Sequence, residues 1–310
     1  MTEIITLGEI LVEIMRPAAG QPLDQTGEFR GPFASGAPAI FAVAAARLGL
    51  NTAFIGAVGD DAFGRLLRTR LSTEGVDTSG LQLAEGYATS AAFVAYDDTG
   101  EREFVFHISH AAAGQIKPEL ITPTLFENVK WLHISGSTIF LNDNSQAACL
   151  CALELAKAAG GKISLDPNLR SELMPFEQAR EILTSFISSA DLLLPTSAET
   201  YALTGKSNID SAAQALAIKP NAIIVIKRGP TGCSVINRGQ RIDVPGFPVE
   251  EVDPTGAGDC FSAAFIAGLE SGWPLEKVAS FANAAGALAV TKMGPMEGAP
   301  TRKQVDDFYA

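Results

Sequence analysis

Short runs of β-branched and aliphatic residues alternate along this chain with longer Ala- and Leu-rich segments at helical spacing, and that alternation is the strongest constraint on its fold. Strands are expected at 4–7, 53–58, 132–134, 163–165, 192–194 and 223–227. Helices are expected between them at 39–48, 62–74, 146–159, 177–188 and 198–203, with 260–271 and 275–291 closing the C-terminal half. A strand, a crossover helix and a second strand make a parallel pair, so the expected fold is α/β, a doubly wound and mostly parallel sheet flanked by helices. Ligands of such a sheet bind at the C-terminal ends of its strands.

Two stretches break the alternation, at about 10–33 and 87–107. The second holds the period-two run Ser90-Ala91-Ala92-Phe93-Val94-Ala95-Tyr96, a turn at Asp97-Asp98-Thr99-Gly100, and then Arg102-Glu103-Phe104-Val105-Phe106, a β-hairpin pattern. These segments suit a small antiparallel sheet, a lid over the ligand edge that would exclude water. No repeat, low-complexity tract or Pro/Gly/Ser linker marks a second unit, so residues 1–310 are expected to form one domain.

A chain of 310 residues, 47% hydrophobic and 19% charged, has enough apolar surface for a sizeable core and does not read as disordered. Its 35 acidic residues outnumber 23 Lys and Arg, a net charge of −12 that argues against nucleic acid or an anionic membrane as partner. A small ligand, neutral or metal-neutralised, fits better. Cys149, Cys151, Cys233 and Cys260 show no paired spacing, so reduced thiols are expected. Cys149 and Cys151 are two apart on a helix and point to different faces, which disfavours a shared metal. The N-terminus lacks a basic region before a long apolar run, and nowhere do eighteen apolar residues run unbroken. A soluble, cytoplasmic protein is expected.

The stretch Val252-Asp253-Pro254-Thr255-Gly256-Ala257-Gly258-Asp259-Cys260-Phe261 carries the chemistry. A glycine-containing loop runs straight into an apolar helix, so backbone N–H groups of residues 256–259 can converge on an anion at the helix start. The Walker pattern, Gly, four residues, then Gly-Lys-Ser/Thr, is absent from the sequence. Asp259 could take a proton from a hydroxyl that attacks a phosphoryl group held on those amides. The blander alternative is that Asp259 only caps a helix and the glycines only make a turn.

The whole string resembles the C-terminal signature of the PfkB/ribokinase family of carbohydrate and nucleoside kinases. Gly8-Glu9-Ile10-Leu11-Val12-Glu13 resembles that family's first strand leading into the lid, and Ser35-Gly36-Ala37-Pro38-Ala39 its N-terminal Gly-Gly motif. Val58-Gly59-Asp60-Asp61-Ala62-Phe63-Gly64, Asp166-Pro167-Asn168-Leu169-Arg170 and Lys227-Arg228-Gly229-Pro230-Thr231-Gly232 match later turns in order and spacing. The resemblance implies a ribokinase-like fold with a small antiparallel β lid, and ATP and Mg²⁺ as cofactors. It implies Asp259 as catalytic base and Gly256, Ala257 and Gly258 as anion hole. Lys227, Gly229, Gly232, Asn283 and Thr196 would line the nucleotide. Glu13, Ser35, Gly36, Ala37, Arg170 and His107 would meet the acceptor. Glu199 would act on Mg²⁺ through water, and Asp253 and Thr255 fall where many members hold a monovalent cation such as K⁺. A homodimer through the lid is a further implication.

Three departures bear on the acceptor. Glu13 replaces a common Asp, Ser35 a Gly, and Ile40 an Asn; at the metal, Thr196 replaces the Asn of Asn-x-x-Glu. The N-terminal segment and the late Gly294-Pro295-Met296-Glu297-Gly298 look most like the fructokinase, tagatose kinase and 2-keto-3-deoxygluconate kinase branch. Keto-acid kinases tend to carry an Arg in the second lid hairpin; Phe106-His107-Ile108-Ser109-His110 has none, which tilts the expectation to a neutral ketohexose, although Arg16, Arg30 or Arg102 could enter from elsewhere. A nucleoside kinase and a non-catalytic sugar or nucleotide sensor are the rival readings. His133, Trp131, Phe261 and Phe265 read as core.

Overall fold

The computed structural model describes residues 2–98 and 102–309. Thirteen strands occur in them: β1 (Ile4–Leu7), β2 (Leu11–Met15), β3 (Arg30–Ser35), β4 (Thr52–Val58), β5 (Leu81–Leu83), β6 (Ala91–Tyr96), β7 (Arg102–His107), β8 (Trp131–Ser135), β9 (Lys162–Asp166), β10 (Leu192–Leu193), β11 (Ile223–Lys227), β12 (Cys233–Asn237) and β13 (Gln240–Val244). The helices are α1 (Ala37–Arg47), α2 (Ala62–Thr73), α3 (Gly136–Ile139), α4 (Asp143–Ala158), α5 (Phe176–Ile187), α6 (Ser197–Thr204), α7 (Ile209–Leu216), α8 (Ala257–Glu270), α9 (Leu275–Ala289) and α10 (Arg302–Tyr309).

Nine strands form the main sheet in the order β13-β12-β11-β10-β9-β8-β1-β4-β5. The run from β11 to β5 is parallel, and the β12–β13 hairpin closes one edge antiparallel. Alternation along β1 shows how the layers form: Ile4 packs with Phe41, Phe265 and Phe281 on one face, whereas Ile5 and Leu7 pack with Phe140 and Phe186 on the other. Helix α8 is apolar nearly all round, and residues 259–268 are accordingly buried. Chain order reverses at β1, with β4 on one side and β8 on the other, which opens a crevice at its C-terminal end.

The smaller sheet runs β3-β2-β6-β7. Its outer pairs, β2–β3 and β6–β7, are antiparallel as expected, and a parallel β2–β6 pair joins them. Of the hairpin turn expected at 97–100, residues 99 and 100 lie outside the described residues. Expected strands and helices agree with the observed ones to within a few residues. The elements β5, β12, β13, α3, α7 and α10 had no counterpart in the sequence reading. Among the described residues no helix is long and apolar enough to cross a membrane. All four cysteines are free thiols.

Candidate active site

Polar residues gather where the parallel strands end. Glu9 follows β1, Ser135 and Asp166 end β8 and β9, and Lys227 ends β11. Two adjoining cavities open there, of about 300 and 340 Å³, and Thr196, Lys227, Pro254 and Gly258 line both.

The junction is the start of α8. Gly256 is its N-cap at φ 84°, and a side chain there would meet Pro295 O at 2.5 Å, so both the turn and the packing demand glycine. No side chain caps this helix start; the Ala257 amide makes a long bond of 3.4 Å to Pro254 O, and the other first-turn amides are available to an anion. Asp259 sits in that first turn, buried and lining the first cavity. Burial, reinforced by the Asp166 charge, pushes its carboxyl up to about 8, while Lys227 and Arg170 pull the other way. Lys227 Nζ lies 2.5 Å from Asp166 Oδ2 and 3.4 Å from where a side chain on Gly258 would begin. Burial alone would lower the Lys227 pKa; Asp166, Glu199 and Asp259 together outweigh it and hold the ammonium charged.

The first cavity brings together most of the residues assigned to the acceptor: Glu13, Ser35, Gly36, Ala37 and Arg170. Two of the departures prove to be partners, because Ser35 Oγ donates to Glu13 Oε2 at 2.8 Å. The other oxygen, Oε1, is buried with no partner, a free acceptor in a cavity wall. Burial pushes Glu13 up to about 7; Ser35, Arg102 and Arg170 oppose that, and the Asp253 charge adds to it. Gly36 is at φ 108°, and a side chain there would strike Glu9 O at 2.4 Å. Glu9 is held by Ser137 Oγ at 2.6 Å and Thr138 Oγ1 at 2.7 Å. Ile40 lines the cavity and packs against the Gly256 turn, so it offers contact but no hydrogen bond.

The second cavity holds Gly229, Gly232 and Asn283, with Phe247, Val249, Phe261 and Val290 as walls. Asn283 spends its amide on the carbonyls of Val244 and Pro245 at 3.3 and 3.0 Å, which fixes that wall. Thr196 and Glu199 form a reciprocal cap at the start of α6. Glu199 Oε2 accepts from Thr196 N and Oγ1 at 2.7 and 2.8 Å, and Oε1 accepts from Leu169 N at 2.8 Å. The Thr at 196 thus serves the acid three residues on, and Glu199 ties α6 to the turn after β9.

Asp253 is buried just beneath the turn. Its Oδ1 accepts from Thr255 N and from Tyr96 Oη, both at 3.0 Å, and its Oδ2 accepts from Gly294 N at 2.9 Å. The buried Thr255 hydroxyl lies near the Tyr96 phenol without a hydrogen bond of good geometry.

His107 does not join the site. On β7 the side chains of Arg102, Phe104 and Phe106 line the cavity, so His107, odd in the same alternation, is exposed on the opposite face, edge-on to Phe93. Of the three arginines that could enter from elsewhere, Arg102 on β7 lines the cavity. Arg16 is committed elsewhere, to the carbonyls of Pro22, Gln25 and Glu28 and the Phe29 ring, and Arg30 is exposed beside Met293. Glu9, Asn168 and Ser137 line the cavity with no role foreseen for them. Each follows a predicted strand end, and Glu9 and Asn168 stand inside motifs quoted for the family resemblance. His133 is core as expected, stacked on Phe41 at 3.8 Å with Nδ1 3.1 Å from Ser164 Oγ; burial pushes it down to about 3. Trp131 and Phe265 are core, and Phe261 is core that also walls the second cavity.

Comparison with known proteins agrees with this architecture. The chain is 35% identical to a probable fructokinase-2 of Arabidopsis thaliana, over 96% of this chain and 93% of that one. A putative ribokinase II from E. coli, solved in complex with ATP and Mg²⁺, superposes with a TM-score of 0.93 at 38% identity over 99% of both chains. A fructokinase double mutant from Vibrio cholerae O395, in its fructose-, ADP- and potassium-bound form, superposes at 0.89 and 29% identity, over 100% of this chain and 99% of that one. The fold is therefore ribokinase-like. Residues 1–302 match the model of the pfkB family carbohydrate kinases, and the chain belongs to that family of sugar phosphotransferases.

Proposed function

We propose that this sugar kinase transfers the γ-phosphate of ATP to a primary hydroxyl of a ketohexose, fructose or tagatose. The observation that carries the reading is the meeting of Asp259, the first-turn amides of α8 and Lys227 where the two cavities join. In this reading the larger-walled apolar cavity takes the nucleotide and the charged one takes the sugar. Asp259 accepts the hydroxyl proton, and the amides of Gly256, Ala257 and Gly258 hold the phosphoryl oxygens as charge develops on them. Lys227 shifts from Asp166 towards the same oxygens. Glu13 Oε1 accepts a sugar hydroxyl, supported by Ser35.

The acids present fit Mg²⁺ reached through water. Both Glu199 oxygens already take backbone or hydroxyl donors, and among the described residues no cluster of three or more His, Cys, Asp or Glu forms a direct ligand set. Bound with the nucleotide, the ion supplies neutralisation of phosphate charge while keeping much of its hydration. The orphan Thr255 hydroxyl beside buried Asp253 fits an oxygen-liganded monovalent cation such as K⁺.

The smaller sheet is read as a lid on a single domain of residues 1–310. Exposed Phe29 and Val105 and the open edge of β7 suit pairing of two copies through it. A cytoplasmic site of action is consistent with four free thiols.

A second reading has its own support. Arg102 and Arg170 both line the sugar cavity, which reverses the argument for a neutral acceptor from the absence of arginine at 106–110 and favours 2-keto-3-deoxygluconate. The fructokinase relatives weigh towards the ketohexose. ADP release with fructose, tagatose, the keto acid, ribose and adenosine separates these readings. Fructose or tagatose should give the highest kcat/KM; the keto acid leading would transfer the assignment to the second reading, and adenosine leading would make this a nucleoside kinase. Asp259→Asn should cut turnover of the best acceptor by roughly 10³-fold with ATP affinity retained. Sugar binding with no ADP from any acceptor would make the chain a sensor.

A further inference from the structure

Tyr96 has no part in the chemistry above, yet it bridges the two sheets at the point where they matter most. It ends β6 and pairs across the hairpin with Arg102, whose side chain lines the sugar cavity, so both stand on the cavity-facing side of the lid. From there the phenol reaches the main body and donates to Asp253 Oδ1 at 3.0 Å. Asp253 is 2% exposed, and the same carboxylate binds the amides of Thr255 and Gly294. One buried acid therefore joins three segments. The first is the lid, the second is the turn that runs into α8, and the third is the 294–295 turn, whose Pro295 carbonyl presses on Gly256.

We propose that Tyr96 is a positioning residue that couples closure of the lid over the sugar to the set of the 256–259 turn. The inference rests on the sugar-kinase reading and extends it to how the two substrates sense each other. A sugar bound between the lid and the strand ends fixes the lid, and β6 carries the phenol with it as part of a hydrogen-bonded sheet. The bond to Asp253 then favours the one arrangement of the 253–256 turn in which the helix-terminal amides face the phosphate. Asp253 is an effective relay because a buried carboxylate cannot exchange a lost donor for water. Coupling of this kind is reciprocal: a bound sugar tightens the nucleotide by the factor with which the nucleotide tightens the sugar.

Tyr96→Phe removes the hydroxyl and keeps the ring. A non-hydrolysable ATP analogue is titrated calorimetrically into the wild type and the variant, in Mg²⁺ and KCl, with and without the best acceptor from the substrate panel. The wild type should bind the analogue about tenfold more tightly when sugar is present, the scale of one hydrogen bond to a charged group, and Y96F should lose most of that gain. Its kcat should fall about tenfold, and by reciprocity the sugar KM at saturating ATP should rise by about the factor of coupling that is lost. A Y96F variant that keeps both the coupling and kcat overturns the proposal. So does one that melts at a lower temperature with coupling intact, since Tyr96 would then be a stabilising contact only. Wild type that phosphorylates no acceptor on the panel fails the function reading itself, and turnover reports that separately. Wild type that turns over without any coupling removes this inference and leaves the function standing.

Discussion

The first cavity, proposed to take the sugar, is walled by Glu9, Glu13, Arg102, Asp166, Arg170 and Asp259, whereas the second, proposed to take the nucleotide, is walled by Phe247, Val249, Phe261, Val290 and the glycines 229, 232 and 286. Among the described residues the three carboxyls raised above their ordinary pKa, Glu9, Glu13 and Asp259, all line the first. A flat, apolar base needs surface to lie on, while a polyol needs paired hydrogen bonds and a proton acceptor. Buried acids are expensive, and in the proposed reading that cost falls on the side where the proton moves. Lys227 belongs to both walls, so charge is shared only at the junction.

If the two halves are separate in this way, single substitutions should strike one substrate and spare the other. Gly286 lies on α9 against the second cavity, and a side chain there would start 3.4 Å from Ala257 O. Gly286→Leu fills the nucleotide cavity and should raise the ATP KM by roughly tenfold or more, with the sugar KM little changed. An equal rise in both KM values would mean that the cavities are not independent. A smaller effect is expected at Ser35→Ala, which takes the donor from Glu13 Oε2. The sugar KM should rise roughly fivefold with ATP unaffected. An unchanged sugar KM would detach Glu13 from the acceptor.

The two cavities also differ in how far they could be read from residues alone. The 253–259 string was legible because its parts are contiguous: a glycine-containing turn that runs straight into an apolar helix can be seen in the sequence directly. Glu13 and Ser35 were identified as departures, but that one hydrogen-bonds the other could not be seen, since 22 residues separate them and only the β2–β3 pairing brings them together. His107 was misplaced for a geometric reason. The run Phe104-Val105-Phe106 is apolar on both faces, so alternation fixes which residues share a side without saying which side faces the cavity. Arg102 was named beside Arg16 and Arg30 as a residue that could enter the site, and for the same reason the sequence could not choose among the three. The β12–β13 hairpin was missed because its strands are short and interrupted by polar residues at the sheet edge, where exposure weakens the apolar pattern. The nucleotide wall was underestimated because Phe261 satisfies a core pattern and a binding role at once.

The central claim is that Asp259 takes the acceptor's proton, and the pH dependence of kcat/KM tests it most directly. A base must be ionised, and a carboxyl pushed up to about 8 gains charge as pH rises through that value. Activity should therefore climb through a limb near pH 8. Asp166→Asn removes a like charge and frees Lys227, both of which favour the ionised form, so the limb should move to lower pH. A flat profile would contradict the role given to Asp259, and so would a limb near 7 that Asp166→Asn leaves in place, which would assign the titration to Glu13.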